Sequence, residues 1–174
     1  MFRALRQTAG ILKRRWFPHR AAPADVSSYW TGYNVTGHQR FASAGDSEAY
    51  VRWRNGLYVD HLRWLPIAGH DGKVVLDYGC GPGNDLVGIG LASKPARLIG
   101  IDVSSRSIEE SRQRLALHGI PAELAIIPEA GELPLADSSV DYIHCNGVLH
   151  HTTDSRRVLR ELRRVLRPGG ALVA

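Results

Sequence analysis

Short apolar runs alternate along this chain with stretches in which apolar residues recur every three or four positions. The runs lie at 74–76, 95–102, 122–127 and 140–144, and another begins at Ala171. Runs of this length are typical of strands buried on both faces, and the stretches between them are typical of amphipathic helices. The alternation predicts an α/β fold with a doubly wound, mostly parallel sheet.

Capping residues indicate where the helices between these strands begin. One helix starts at Asp85, directly after a group of glycines. The next is capped by Ser104 or Ser105, and the last by Thr153 or Asp154. We expect the last helix to bury a stripe made of Val158, Leu159, Leu162, Val165 and Leu166.

A further helix is predicted upstream of the first strand. Asp46 or Ser47 can cap it, and apolar residues recur at helical spacing as far as Pro66. Asn55-Gly56 weakens its middle, so two shorter helices are an alternative. We interpret the apolar stripe as packing rather than as a substrate site; it consists of Tyr50, Trp53, Leu57, His61 or Leu62, and Leu65.

The stretch 28–45 mixes aromatic residues with glycines and small polar residues. It is too aromatic for disorder and too rich in glycine for a regular helix, so we expect an ordered loop packed on the domain. Its aromatic residues either close over a ligand or only anchor the segment, and both roles stay open. The residues concerned are Tyr29, Trp30, Tyr33 and Asn34.

Residues 1–20 contain six lysines and arginines and no acid, and they account for much of the formal net charge of +5. They are interpreted as an amphipathic helix on an anionic membrane surface or on nucleic acid, as an organelle transit peptide, or as a basic tail. We divide the chain into a basic segment with its linker (1–24), a helical and aromatic cap (25–72) and a core (73–174).

Composition narrows the class of protein. At 174 residues and 44% hydrophobic content, the chain fits one domain with its own core. No apolar run approaches the roughly 18 residues that a membrane span needs. The two cysteines, Cys80 and Cys145, give no disulfide framework, so we expect a reduced, cytoplasmic protein.

The first strand of the core leads into a turn that suits a ligand. Asp77 ends an apolar run, and glycines follow at Gly79, Gly81 and Gly83. A dinucleotide fold has its third glycine three residues after the second, whereas here the spacing is two. The carboxylate of Asp77 repels a pyrophosphate but suits an ammonium group, which favours a ligand with an amino-acid end. A strand, turn and helix without any ligand is the alternative.

A second acid lies at the end of the next strand. Asp102 comes 25 residues after Asp77, which is one strand–helix–strand step, so both acids should emerge at the same edge of the sheet. A carboxylate there can accept hydrogen bonds from both ribose hydroxyls of an adenosine, although it serves NAD equally well. Capping of the following helix, together with Ser105, is the alternative role.

Further motifs follow in a fixed order: Glu129-Ala130, then Leu133-Pro134, then the S-x-D of 139–141 and the RPGG of 167–170. With the glycine turn, this ordered set resembles the class I S-adenosylmethionine-dependent methyltransferases, of the type with a methyltransferase domain 11-like core, over residues 73–174. The resemblance implies a Rossmann-like fold and S-adenosylmethionine as the cofactor.

The resemblance also implies roles for single residues. Asp77 is assigned to the amino end of the cofactor, and Gly79 and Gly81, with Cys80 between them, to its close approach. Asp102 and Val103 are assigned to the ribose, Glu129 and Ala130 to the adenine, and Asn146 to the methionine portion. The family more often has Asp where this chain has Glu129, and a solvated loop acid is the other interpretation of that residue.

The function implied is transfer of a methyl group to an O, N or C nucleophile, with a small molecule as the acceptor because no nucleic-acid motif is evident in the core. No catalytic base is assigned. A non-catalytic cofactor-binding or partner module is one alternative, and an NAD-dependent oxidoreductase is another, which the glycine spacing and Asp77 disfavour.

The adjacent histidines His150 and His151 invite two sharper interpretations, a metal site or a general base. Neighbouring residues at the start of a helix point in different directions, and no evident Cys, Asp or Glu completes a ligand set. We therefore expect packing roles and no metal.

A class I methyltransferase normally has seven strands, whereas this sequence ends in the fifth. We therefore expect a natural truncation, a fragment or a shortened chain, and leave its oligomeric state open.

Overall fold

The computed structural model describes residues 26–34 and 37–174. The basic segment 1–20 lies outside the described residues, so the interpretations of it remain predictions. Six α-helices, one 3₁₀ helix and five strands are described. In chain order they are α1 Val26–Gly32, α2 Ala44–Asn55, α3 His61–Trp64, β1 Val74–Tyr78, α4 Asn84–Ala92, β2 Arg97–Asp102, α5 Ser105–Leu117, β3 Glu123–Ile126, β4 Val140–His144, the 3₁₀ helix Leu149–His151, α6 Ser155–Val165 and β5 Leu166–Val173.

The five strands form one sheet in the order β3-β2-β1-β4-β5, with every neighbouring pair parallel. This confirms the predicted α/β class with its doubly wound parallel sheet. The first strand, β1, lies in the middle of the sheet. β2 and β3 extend the sheet on one side of it, and β4 and β5 extend it on the other. Tyr78, Asp102 and His144 end β1, β2 and β4, so they meet at one edge.

Two apolar layers enclose the sheet, because successive residues of a strand point to opposite faces. On one face Leu76 and Ile143 pack with Leu162 of α6. On the other face Val75 packs with Leu86 of α4 and Leu115 of α5. All five residues of β1 are buried, as the continuous apolar run predicted.

In the core, the capping residues of the last two helices are ones that the sequence predicted, whereas upstream of the core the capping residue differs from the prediction. Ser104 accepts a hydrogen bond from the Ser107 amide, and Asp154 accepts one from the Arg157 amide. Upstream, the cap is Ser43 rather than Asp46 or Ser47, so α2 begins earlier than predicted. The predicted loop at 28–45 begins inside a short helix, α1, which ends at Gly32.

The stripe predicted to pack along α2 and α3 is wrong for half of its members. Trp53, Leu57 and Leu62 are exposed, whereas the buried face of α2 consists of Ser47, Val51 and Asn55. Oγ of Ser47 accepts a hydrogen bond from Arg114 of α5, and Oδ1 of Asn55 accepts one from Arg54 of α2, so these buried oxygens have partners. Leu159 of α6 is also exposed, although its stripe is otherwise buried or partly buried.

The RPGG motif is part of β5 rather than a turn before it. Between the pairs Val140–Leu166 and Tyr142–Ala171, β5 advances five residues while β4 advances two. The extra residues bulge out of the ladder, and Gly169 adopts a positive φ of 81° there. Among the described residues, none of the helices is long and apolar enough to cross a membrane.

Candidate functional site

A cavity of about 810 Å³ opens at the carboxyl edge of the sheet. Its walls come from the loops after β1, β2, β3 and β4 and from the cap helices α1, α2 and α3. The edge where parallel strands end is the usual ligand site of an open α/β sheet. Seven of the nine predicted cofactor residues line this cavity, namely Gly79, Cys80, Gly81, Asp102, Val103, Glu129 and Asn146.

The glycine turn is positioned by the neighbouring strand. The amides of Gly79 and Cys80 both donate to the carbonyl of Ile101, at 2.7 and 3.0 Å. A side chain at Gly79 would place its Cβ 2.3 Å from Cγ2 of Val148, so this glycine is required for packing. Gly81 differs, because a Cβ there would meet only Nδ2 of Asn34, at 3.7 Å. Gly81 is therefore the glycine that keeps the cavity wall free of a side chain.

Asp102 connects the end of β2 to the glycine turn. Its Oδ2 accepts a hydrogen bond from the Gly81 amide and its Oδ1 accepts one from the Ser104 amide, both at 2.8 Å. Burial raises the pKa of Asp102, while these amide hydrogen bonds act in the opposite direction. An ionised carboxylate has about four acceptor positions, so these bonds leave acceptor capacity for a ligand in the cavity.

Glu129 lines the cavity and is already partly engaged. Its Oε1 accepts a hydrogen bond from the Thr153 amide, which ties the loop after β3 to the segment before α6. Ala130 does not line the cavity, since its side chain is buried in the apolar layer against α6. Its φ of 51° turns the chain back toward the core at this position.

Asp77 lies behind the cavity wall rather than in it. Its side chain is 2% exposed, and Oδ2 has no hydrogen-bond partner among the described residues. Burial raises the pKa of Asp77 to about 7, against the opposing effect of His144. Its carboxyl group can therefore act on a ligand only through an intermediate group.

A buried ionic cluster that the sequence did not predict lies between the cap and the core. Arg54 of α2 donates to Asp85 of α4 through both Nη atoms, at 2.6 and 3.0 Å. Nδ2 of Asn146 donates to the same carboxylate at 3.3 Å, and Nε2 of His144 lies 3.5 Å from it. Arg54, Asp85 and Asn146 all line the cavity, so this cluster forms its charged side.

The cluster keeps Asp85 ionised. Burial opposes ionisation, but the close contacts with His144 and Arg54 hold the pKa of Asp85 well below its usual range. Burial also lowers the pKa of His144, but the neighbouring carboxyl groups of Asp85 and Asp77 outweigh it, so the net shift is upward. An acid in the first turn of the helix after the glycines was the available sequence signal for Asp85; Arg54 had no comparable signal.

The aromatic residues of the cap both line the cavity and anchor the segment. Trp30, Tyr33 and Asn34 contribute to the wall, whereas Tyr29 stacks on Tyr33 with ring centres 5.2 Å apart. Oγ of Ser27 donates to the carbonyl of Val103 at 2.8 Å, which fixes α1 to the end of β2. The segment is therefore anchored on the domain and borders the cavity, while its closure over a ligand stays a prediction.

The two adjacent histidines also belong to the wall. The rings of His150 and His151 lie 4.0 Å apart, and the ring of His151 meets Trp30 edge-on at 4.9 Å. Burial and the neighbouring His150 lower the pKa of His151. Within the part of the chain that the structure describes, no group of three or more His, Cys, Asp or Glu residues could hold a metal ion.

Comparison with known proteins identifies the family of this fold and site. The family profile described as a methyltransferase domain matches residues 69–174. A 37.1 kDa transposon protein from Streptomyces fradiae is 44% identical over 103 residues, which are 59% of this chain and 29% of the relative. Demethylmenaquinone methyltransferase from Geobacillus stearothermophilus is 28% identical over 142 residues, covering 80% of this chain and 58% of the relative.

A solved structure has the same fold. The geranyl diphosphate C-methyltransferase of Streptomyces coelicolor A3(2), crystallised with Mg²⁺, geranyl diphosphate and S-adenosyl-L-homocysteine, superimposes with a TM-score of 0.61 at 18% identity. The match covers 89% of this chain and 65% of that one. This chain spans between about a third and two thirds of the length of these relatives.

Proposed function

We propose that this chain, which belongs to the class I S-adenosylmethionine-dependent methyltransferases, transfers the methyl group of that cofactor to an O, N or C nucleophile of a small molecule. The family assignment favours S-adenosylmethionine over NAD, the two cofactor classes that Asp102 alone did not separate. The observation that carries the proposal is the cavity at the carboxyl edge, because most of the residues assigned to this cofactor line it.

The residues of the wall suit the parts of the cofactor in turn. We assign Asp102 to the ribose hydroxyls, since its oxygens keep acceptor capacity beyond their bonds to Gly81 and Ser104. Val103 lies next to it in the wall, and Gly81 leaves the space that close approach needs. Glu129 keeps one oxygen outside its bond to the Thr153 amide for the adenine end, and Ala130 supports that loop from the core.

The charged side of the cavity suits the amino-acid end of the cofactor. We assign Asn146 to this end, since its amide group lies in the wall at Asp85. Asp77 acts from behind the wall, where its ionised form favours a cationic ammonium group, and a carboxyl group with a pKa of about 7 is partly ionised at neutral pH. Cys80 contributes a neutral surface, because burial raises the pKa of its thiol well above the usual value.

When bound, the cofactor supplies a methyl group on a sulfonium, which is already a good leaving group. The protein's contribution is then to hold the acceptor in line and to exclude water, and positioning of this kind supplies much of the rate. The aromatic side chains of α1 and α2 border the cavity and can exclude water on that side. We also propose a cytoplasmic location, which the free, buried thiols of Cys80 and Cys145 support.

Calorimetric titration with S-adenosyl-L-homocysteine, alongside NAD, tests the cofactor assignment. We expect the former to bind and NAD not to bind. Asp102→Asn should weaken binding about tenfold or more, since a hydrogen bond to a charged group contributes about 1.5–3 kcal/mol. Asp137→Asn is the matched control, because Asp137 is an exposed acid paired with Arg164 away from the cavity. Equal affinity of both variants and the parent would reject the role of Asp102.

A further inference from the structure

The turn between α2 and α3 and its flanks carry an exposed apolar surface that the assignments above leave without a role. Six of the eleven large apolar side chains that are exposed among the described residues lie within 53–64. They form what we call the apolar patch: Trp53, Leu57, Tyr58, Val59, Leu62 and Trp64. Apolar surface concentrated in this way marks a site of interaction, whereas exposed apolar residues scattered singly need no explanation.

The turn at the centre of the apolar patch projects from the domain. α2 ends with Gly56 as its cap, and Asp60 reverses the chain before α3 with a φ of 59°. Every residue from 56 to 60 is exposed, and Val59 is 93% exposed. A projecting apolar turn can insert into a deformable apolar phase, whereas a protein partner would need a matching cavity to receive it.

The apolar patch continues into the cavity. Trp53, Leu57 and Tyr58 line the cavity although more than half of each side chain is exposed, so they lie at its mouth. A second copy of the chain or another protein seated on the patch would cover this mouth. A fluid bilayer instead leaves the mouth open to apolar molecules that are dissolved in it. The position of the patch therefore favours a bilayer as its partner.

The composition of the patch fits the boundary between the headgroups and the acyl chains of a bilayer. Trp and Tyr are enriched at this boundary because their rings combine an apolar body with a polar tip. The guanidinium of Arg63 lies 5.5 Å from the centre of the Trp64 ring. Its contact with Asp60 is 4.0 Å long and exposed, so Arg63 can also bind a lipid phosphate.

The sequence upstream supplies charge that an anionic bilayer attracts. All 17 acids lie after residue 20, together with 16 of the 22 lysines and arginines, so the basic excess belongs to residues 1–20. Arg20 precedes Val26, which lines the cavity, by six residues, and these span at most about 20 Å. The basic excess is therefore attached to the chain next to the cavity. Apolar insertion and attraction to anionic lipids strengthen each other.

We propose that the apolar patch docks this chain on a bilayer that contains anionic lipids, with Tyr58 and Val59 inserted and the mouth of the cavity facing the membrane. The docking does not require methyl transfer. The need to keep the mouth open rests on the proposed function, and it implies a methyl acceptor that is dissolved in the bilayer.

Co-sedimentation with vesicles tests the docking, with the full chain and no cofactor. We expect the parent to sediment with vesicles of equal parts phosphatidylcholine and phosphatidylglycerol, and less with phosphatidylcholine alone. Val59→Asp should lose about tenfold or more in apparent affinity, the size expected when one aliphatic side chain no longer inserts. Because Val59 is nearly fully exposed, its substitution should leave Tm unchanged.

Leu117→Asp is the matched control. Leu117 is also an exposed aliphatic residue, but it ends α5, which runs back from the carboxyl edge to the opposite edge of the sheet. The variant adds the same negative charge beyond the reach of screened electrostatics, so it should bind within about twofold of the parent. Lipids brominated on their acyl chains should quench the tryptophan fluorescence of the parent, because Trp53 and Trp64 belong to the patch.

Four outcomes would overturn the docking. They are a parent that does not sediment, Val59→Asp that binds as tightly as the parent, equal binding to both kinds of vesicle, and sedimentation without quenching by brominated lipids. The second would mean that the basic segment binds alone. A dimer that Val59→Asp dissociates, in a parent that binds no vesicles, would assign the patch to a second copy instead. Vesicle binding by a chain that does not bind S-adenosyl-L-homocysteine would overturn the proposed function and leave the docking intact.

Discussion

Arg54→Met removes the guanidinium partner of a buried carboxylate while keeping most of the apolar stem. The Arg54 and Asp85 side chains are only 16% and 9% exposed, and both Nη atoms bond the carboxylate. Breaking such a pair from one side costs about 3–5 kcal/mol, because the remaining charge stays buried. Since His144 and Asn146 still contact Asp85, we expect the free energy of unfolding to fall by about 3 kcal/mol, near the lower end of this range.

Urea unfolding at pH 7 measures this loss, with Arg52→Met as the matched control. Arg52 lies on the same helix and pairs with Glu48, but those side chains are 64% and 45% exposed. Exposed pairs contribute about 0.2–1 kcal/mol, so the control should change the free energy of unfolding by less than about 1 kcal/mol.

A double-mutant cycle then isolates the pair itself. Asp85→Asn removes the buried charge, so adding Arg54→Met to it should cost much less than Arg54→Met alone. We expect a coupling free energy above about 1.5 kcal/mol, within the range for residues in one ion-pair network. If the two substitutions add to within about 0.5 kcal/mol, or if Arg54→Met costs no more than the Arg52 control, the reasoning about the buried cluster is refuted.

Three further substitutions test other parts of the structure. The carboxyl group of Asp77 has a pKa of about 7 in the folded parent, above its unfolded value, so the parent loses stability as the pH rises from 5 to 8. Asp77→Asn lacks this titration, so its free energy of unfolding should rise relative to that of the parent between pH 5 and pH 8. If urea unfolding gives the same difference between variant and parent at pH 5 and at pH 8, this prediction is contradicted. Gly79→Ala places a Cβ 2.3 Å from Val148 and should lower Tm well beyond Gly69→Ala, which shares the positive φ but meets no atom within 4 Å; equal shifts would disprove the steric argument. Arg114→Met removes bonds to both Oγ and the carbonyl of Ser47 and should speed amide hydrogen exchange in α2, whereas unchanged protection would show that Arg114 does not hold the cap.

Local signals explain which parts of the fold were predictable from the sequence. The apolar runs located β1, β2 and β4 because strands buried on both faces contain little else. The run at 122–127 also located β3, although this edge strand is only partly buried. Ser104 and Asp154 could be identified as caps because a capping bond spans only three residues. β5 was placed too late because a proline and two glycines normally indicate a turn, whereas here the extra residues bulge from a strand that has already begun at Leu166.

Apart from the place of Asp85 in the first turn of α4, the buried ionic cluster had no local signal. Arg54 and Asp85 are 31 residues apart, and Asn146 is 61 residues from Asp85, so only the folded topology brings them together. Periodicity also misled at α2, where the polar residues Ser47 and Asn55 face inward. Ser47 can be buried because its hydroxyl and carbonyl oxygens both accept hydrogen bonds from Arg114.

The two sides of the cavity differ in how a sequence can specify them. The cofactor side depends on backbone geometry directly after strands, where Gly81 and Asp102 lie at positions that the topology determines. The other side depends on apolar side chains of the cap, and a helical stripe looks the same whether it packs on a core or faces a ligand. Trp53 and Leu57 recur at the spacing of a packing stripe, yet they remain more than half exposed along the cavity. Exposure in the folded chain, rather than spacing, therefore identifies them as candidates for acceptor binding.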